Sequence, residues 1–314
     1  MNKKSKFFFT VFLAGISCCL WSQQKVDDTR PMYGEVAKDE RYQKVDNEFR
    51  KDMTEKFGSA DSAAHEYVNM AWALFYRKDL KNAMRRFNQA WLLNPEYPDP
   101  YFGFAALLEV QREQAEATRF YLKGTEKDKD KRRQIVCFQH ISACKEQLND
   151  LEGAIEALMK INLIKPDDPA LYRRLGYLYL KNRNNDLAEK AYTKAITLDP
   201  GNAEAFNDRA KLYLQMEDYL KAMFDYDKSI SLDPTVADFY KDRGILELKT
   251  GNFDVAIKDF NSGIKLEPKS GELWKLLGLA KLNLDERQGA CEDFRKAKEL
   301  GDPMADEIMK EYCR

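Results

Sequence analysis

Reactive chemistry is what this sequence is short of. Its 314 residues include two histidines, His65 and His140, and no HExxH, CxxC, GxSxG or GxxxxGK[ST] string occurs. A lone imidazole on a helix surface is far more often solvated than a ligand. Neither catalysis, a metal nor a cofactor is therefore expected. A dominant sign of charge is missing too: 51 Lys+Arg face 52 Asp+Glu, so no global field draws nucleic acid or anionic lipid. No apolar run reaches the roughly 20 residues needed to span a bilayer. Proline and glycine are sparse at ten and fifteen, and many of them recur at even intervals. What remains is a chain 44% apolar and 33% charged, the composition of a soluble helical protein with a sizeable core.

The amino terminus stands apart. A basic MNKKSK start precedes the apolar FFFTVFLAGISCCLW, and this order reads as a secretory signal peptide over residues 1–22. The expectation is an exported, periplasmic protein. The competing reading makes Cys18 or Cys19 a lipidated first residue of an outer-membrane lipoprotein, and only then is a membrane a partner. Residues 23–34 show no apolar period and read as a linker. Over residues 35–57, Val36, Tyr42, Val45, Phe49, Met53 and Phe57 fall at three- and four-residue steps. That spacing gives one narrow apolar stripe on a solvated helix, which needs a neighbour to cover it. Gly58 ends the helix, and Asp61 or Ser62 can cap the next.

A pattern then repeats seven times, over 64–97, 99–132, 135–168, 169–202, 203–236, 237–270 and 271–304. Position 8 of each unit is small: Ala71, Ala106, Ser142, Gly176, Ala210, Gly244 and Gly278. Position 20 is alanine, except for Thr118 in unit two. Position 24 is large and apolar: Phe87, Leu122, Leu158, Tyr192, Tyr226, Phe260 and Phe294. Proline closes five units at position 32, where Asp130 and Asp302 are the exceptions. Small residues let two helices approach, a large side chain at 24 fills space against the next unit, and proline ends the second helix. The charged run GTEKDKDKRR reads as a solvated loop lengthening unit two. Residues 303–314 carry Ala305, Ile308, Met309 and Tyr312 as the stripe of a C-terminal capping helix. Cys291 and Cys313 lie nearly symmetrically about the turn at Gly301–Pro303, which antiparallel helices would place opposite each other as a disulfide. Cys137 and Cys144, about 10 Å apart by helical rise, read as buried small hydrophobes.

A 34-residue helix–turn–helix with these slots resembles the tetratricopeptide repeat (TPR). The resemblance covers residues 64–304 and implies an all-α α-solenoid, a right-handed superhelix of seven units with a capping helix at each end. It also implies a protein-binding scaffold whose partners are other proteins or peptides, with no nucleic acid. Carrying over the family's groove positions 2, 5, 9, 12 and 13 gives Val68, Trp72, Phe75 and Tyr76 in unit one, followed by Leu107. Further along it gives Arg173, Tyr177, Lys181, Lys211, Lys241, Lys249 and Lys275. An aromatic end leading into basic residues suits an extended peptide with an apolar anchor and acidic side chains. The alternative buries Trp72 and Tyr76 under the stripe of helix 35–57. The recurring Asp208-Arg209 and Asp242-Arg243 suit ion pairs between units. A different class of function, a glycan- or peptidoglycan-binding module, would use the aromatics for stacking.

Overall fold

The computed structural model describes residues 26–313; the signal segment with Cys18 and Cys19 lies outside them. These residues form two compact bodies, the first ending at Asp150 and the second beginning at Leu151. The first holds α1 (Glu40–Phe57), α2 (Ala60–Tyr76), α3 (Leu80–Leu93), α4 (Asp99–Val110), α5 (Gln114–Lys127) and α6 (Lys131–Gln147). The second holds α7 (Leu151–Ile164), α8 (Pro169–Lys181), α9 (Asn185–Leu198), α10 (Ala203–Gln215), α11 (Tyr219–Leu232) and α12 (Ala237–Thr250). It continues through α13 (Phe253–Leu266), α14 (Gly271–Leu282), α15 (Arg287–Glu299) and α16 (Ala305–Tyr312). No strand occurs among the described residues. Serial helical hairpins, α2 with α3, α4 with α5, α8 with α9 and onward to α14 with α15, make an α-solenoid.

The hairpins close where a ring meets almost nothing. A methyl added to Gly176 would stand 2.7 Å from the Tyr192 ring, and one on Gly244 or Gly278 would stand 2.6 Å from Phe260 or Phe294. The ring at position 24 therefore lies over position 8 of its own unit, rather than only filling space toward the next. Phe87 does reach the following unit, because a methyl on Gly103 there would stand 2.2 Å from its ring. Burying such a ring contributes roughly 1.5–3 kcal/mol.

Unit two sits one residue earlier than its sequence suggests. Ala105, Ala117 and Tyr121 are the buried occupants of its three slots, while Ala106 and Leu122 are only half-buried. The Thr118 exception then disappears, and Gly124, three residues past Tyr121, has no side chain and so makes room for the Phe102 ring. A second signature fixes this register. Position 15, in the turn between paired helices, is left-handed in every unit: Lys78, Arg112, Asn149, Arg183, Glu217 and Asp285 at φ 59–64°, and Gly251 at 82°. The run GTEKDKDKRR is mostly helix, ending α5 and starting α6, with the buried Asp128 between them.

The amino-terminal segment departs most from expectation. Residues 27–36 are not a free linker; they dock on α3 and α5, and Pro31 is buried. Ser59, not Asp61 or Ser62, caps α2 by accepting from the Ser62 amide. The α1 stripe meets α2 through Phe49, edge-on to Tyr67 at 5.6 Å, and through Met53, whose sulfur accepts from the Tyr67 hydroxyl. At the other end α16 buries only Ala305, and a Cys291–Cys313 disulfide with Cα atoms 5.7 Å apart ties it to α15.

Two tests follow from this packing. Gly244→Ala should destabilise the full chain by about 1–3 kcal/mol through overpacking against Phe260. Gly251→Ala, with nothing within 4 Å of its added methyl, should cost only about 1 kcal/mol through its left-handed backbone. Thermal unfolding of both variants checks that order, and equal losses would contradict it. Cys313→Ser should remove about 3 kcal/mol of loop closure, so that amide exchange accelerates in α16 while α12 and α13 keep their protection.

Candidate functional site

The first helices of units one to three place an apolar wall in the open. Trp72 and Phe75 of α2, Phe102, Ala106 and Val110 of α4, and Val136, Cys137 and His140 of α6 line a groove of about 850 Å³. Trp72 is braced from below, edge-on to Phe87 at 5.2 Å and to Phe75 at 5.3 Å. Val110 and Val136 are each half or more exposed. Large apolar side chains gathered on one open concavity are the usual mark of a binding surface.

One polar cluster sits in this wall. Tyr121 of α5 stacks on the His140 ring at 5.1 Å. Its hydroxyl donates to Glu109 Oε2 at 2.9 Å, and His140 Nδ1 donates to the same oxygen at 3.0 Å. The hydrogen bond from His140, against the opposing effect of burial, holds the Glu109 carboxylate below its ordinary range. The same bond raises the imidazole, and burial raises the Tyr121 phenol. Burial also pushes the Cys137 thiol up to about 12 and Cys144 to about 11, so neither supplies a thiolate. Arg112 and Arg132 stand at the rim, with no ion-pair partner for either among the described residues.

The residues expected to face a partner separate into three groups. Trp72 and Phe75 line the groove, and Tyr76, 78% exposed, stacks on Trp72 at its lip. The stripe of α1 meets Tyr67 instead, through Phe49 and Met53, and leaves Tyr42 and Val45 exposed. Val68, 2% exposed, and the fully buried Leu107 are core, which corrects their assignment to the groove. The basic residues of the second body are engaged with their own chain. Arg173 faces Asp208 at 3.9 Å, Lys211 pairs with Asp242 at 2.9 Å, and Lys275 with Asp302 at 3.0 Å. Lys241 bridges Asp238 and Glu272 at 2.6 and 3.3 Å. Lys249 lies over the Tyr219 ring at 5.5 Å, and Tyr177 lies under the Arg174 and Lys181 cations at 4.9 and 5.9 Å. Arg209 grips Asp225 with two bonds of 2.7 and 2.9 Å; Arg243 repeats this on Asp259 and reaches back to Asp227 at 2.7 Å. These are links within and between units, as the recurrence of Asp-Arg suggested.

Phe102, Glu109, Val110 and His140 were missed, and three of the four were within reach. Starting unit two at residue 98 keeps a spacing of 34 from unit one and puts Phe102, Ala106, Glu109 and Val110 at groove positions 5, 9, 12 and 13. His140 falls at none of those positions.

The Glu109 contact carries a sign. A His pKa raised in the folded state stabilises the fold below the ordinary His range, and that contribution is lost as pH rises through the raised value. An NMR titration of His140 should therefore show a midpoint above about 6.5, and Glu109→Gln should lower it. A midpoint unmoved by Glu109→Gln would detach the imidazole from the carboxylate.

Models of the tetratricopeptide repeat match residues 169–202, 191–224 and 241–305. No curated protein matches the chain in sequence. Among solved structures, a tetratricopeptide repeat protein from Parabacteroides merdae is similar at a TM-score of 0.61 and 20% identity, covering 80% of this chain and 99% of that one. The C-terminal part of a TPR repeat-containing protein from Cytophaga hutchinsonii is similar at 0.59 and 15% identity, covering 76% and 98%. The APC/C hetero-tetramer Cut9–Hcn1 is similar at 0.54 and 15% identity, covering 81% and 48%. At these identities the likeness is one of fold. The repeat models in series show tetratricopeptide repeats in this chain within residues 169–305, and the neighbours share its α-solenoid fold.

Proposed function

We propose that this chain is a non-enzymatic protein-interaction scaffold that holds a polypeptide segment of its partner in the groove of α2, α4 and α6. The observation that carries this reading is the aromatic and aliphatic wall of Trp72, Phe75, Phe102, Val110 and Val136, open to solvent and braced from beneath. Rigid aromatics in a concavity are what an apolar anchor residue fits, and they supply most of the energy where such segments bind. The unengaged Arg112 and Arg132 at the rim favour acidic residues flanking that anchor. The paired lysines of the second body offer no comparable cation. Glycan stacking is the weaker reading, because Glu109, the carboxylate lining the groove, is held by Tyr121 and His140. Sugar hydroxyls would meet few free acceptors there.

The setting we propose is a bacterial envelope, reached by export, with lipidation at Cys18 or Cys19 as the alternative route to a membrane surface. The basic-then-apolar start supports export, and a disulfide at the carboxyl end suits an oxidising compartment.

Selection of a displayed random-peptide library against the full chain tests the function. Recovered peptides should share a large apolar residue beside Asp or Glu, and Trp72→Ala should weaken them at least about tenfold. Val136→Arg should do the same, whereas Lys211→Glu should change little. Peptides indifferent to Trp72→Ala and Val136→Arg, or retention on polysaccharide alone, would overturn the proposal.

A further inference from the structure

A second surface in the first body holds the chain's own residues 27–36, largely on the side of α5 opposite the groove wall, although Arg30 also pairs with Glu113. Residues 119 and 123 stand about 200° around α5 from Tyr121, so they belong to the face turned away from the groove wall. There, with Arg85 and Asn88 of α3, they receive residues 27–36 in a manner that reads the backbone. Asn88 is fully buried. Its Oδ1 accepts from the Tyr33 amide at 3.3 Å, and its Nδ2 donates to the Asp28 and Arg30 carbonyls at 3.1 and 2.8 Å. One amide thus satisfies three main-chain groups of a segment some 55–60 residues distant.

Side chains add a pattern to this backbone grip. Asp28 pairs with Arg85 at 2.7 Å; Glu35 pairs with Arg119 at 2.7 Å and with Lys123 at 2.9 Å. Between the two acids, Pro31 is buried and Tyr33 lies against Trp91, ring centres 6.5 Å apart. The conformation is not one the segment would choose. Met32, Tyr33, Gly34 and Glu35 are consecutively left-handed, at φ 50°, 57°, 77° and 56°, and non-glycine residues adopt that region at a cost unless their surroundings impose it. Hydrogen bonds and ion pairs, together with the buried Pro31 and the Tyr33 ring, hold the segment down.

We infer that this face of α3 and α5 is a second recognition site, built for a short, tightly turned segment of acid–x–x–Pro–x–aromatic–x–acid chemistry, and that residues 27–36 fill it in cis. An incoming partner segment of the same chemistry must displace the chain's own. The inference is independent of what the groove binds.

The test uses the full chain and a labelled synthetic peptide of residues 26–38. Asp28→Lys with Glu35→Lys should release the segment, seen as at least about tenfold faster amide exchange over 27–36, with the helices unchanged. The labelled peptide should then bind this variant saturably while wild-type protein, its site filled, takes up none. Adding Arg119→Glu, on the exposed side of α5, should abolish that binding, and Asn88→Leu should do so as well. A segment that stays protected in the double variant would overturn the inference. So would a released surface that takes up no peptide, or binding that survives Arg119→Glu.

Discussion

A large apolar side chain, Leu158 in unit three and a ring in the others, laid across a residue no larger than alanine or serine sets how closely the two helices of each unit approach. Everything else in the units follows from that contact. Where position 8 is glycine, even one methyl would stand inside the van der Waals distance of Tyr192, Phe260 or Phe294. The helices can therefore neither slide nor rotate without prising the ring out. A dense interior transmits such a constraint rather than absorbing it. The turn joining the helices is held in one form as a result, left-handed at position 15 whether the residue is lysine, aspartate or glycine.

The same packing leaves a surplus where it is exposed. Inside each hairpin the large side chains at position 24 are consumed by the core. On the first helices of units one to three, rings and branched aliphatics appear at positions with no core to enter. Trp72 rests on Phe87, Phe102 fits over Gly124, and their outer faces stay open. The second body meets its corresponding positions differently. Lys211, Lys241 and Arg173 reach acids on neighbouring first helices, and burial holds the Asp208 carboxyl above its ordinary range despite the cations beside it. One repeat scaffold thus carries an apolar wall in one body and a ladder of internal ion pairs in the other.

Repeat slots were legible because each asks for a residue type that little else explains. The fold class followed from the family resemblance that these slots carry, and the placing of Cys291 opposite Cys313 from their spacing about one turn. Unit two was misaligned by one residue because Thr118 and Leu122 look acceptable beside Ala117 and Tyr121. That single step moved the predicted groove from Phe102, Glu109 and Val110 to Leu107, which is core. Charge was harder to read. A lysine at a groove position looks free in sequence, and its acid, 31 residues on in the case of Lys241 and Glu272, becomes a neighbour only through stacking. The docking of residues 27–36 left no periodic trace at all, since it depends on Asn88 meeting main-chain atoms, and backbone contacts have no sequence signature.

The covalent bond at one end has a consequence for the array as a whole. In a stack of repeats each unit is steadied chiefly by those adjoining it, so terminal units, having one neighbour, are the natural places for melting to begin. Here the last helix buries a single alanine yet is stapled to the hairpin before it. With the bond closed, α16 cannot fray away from α15 on its own, so the two come apart only together.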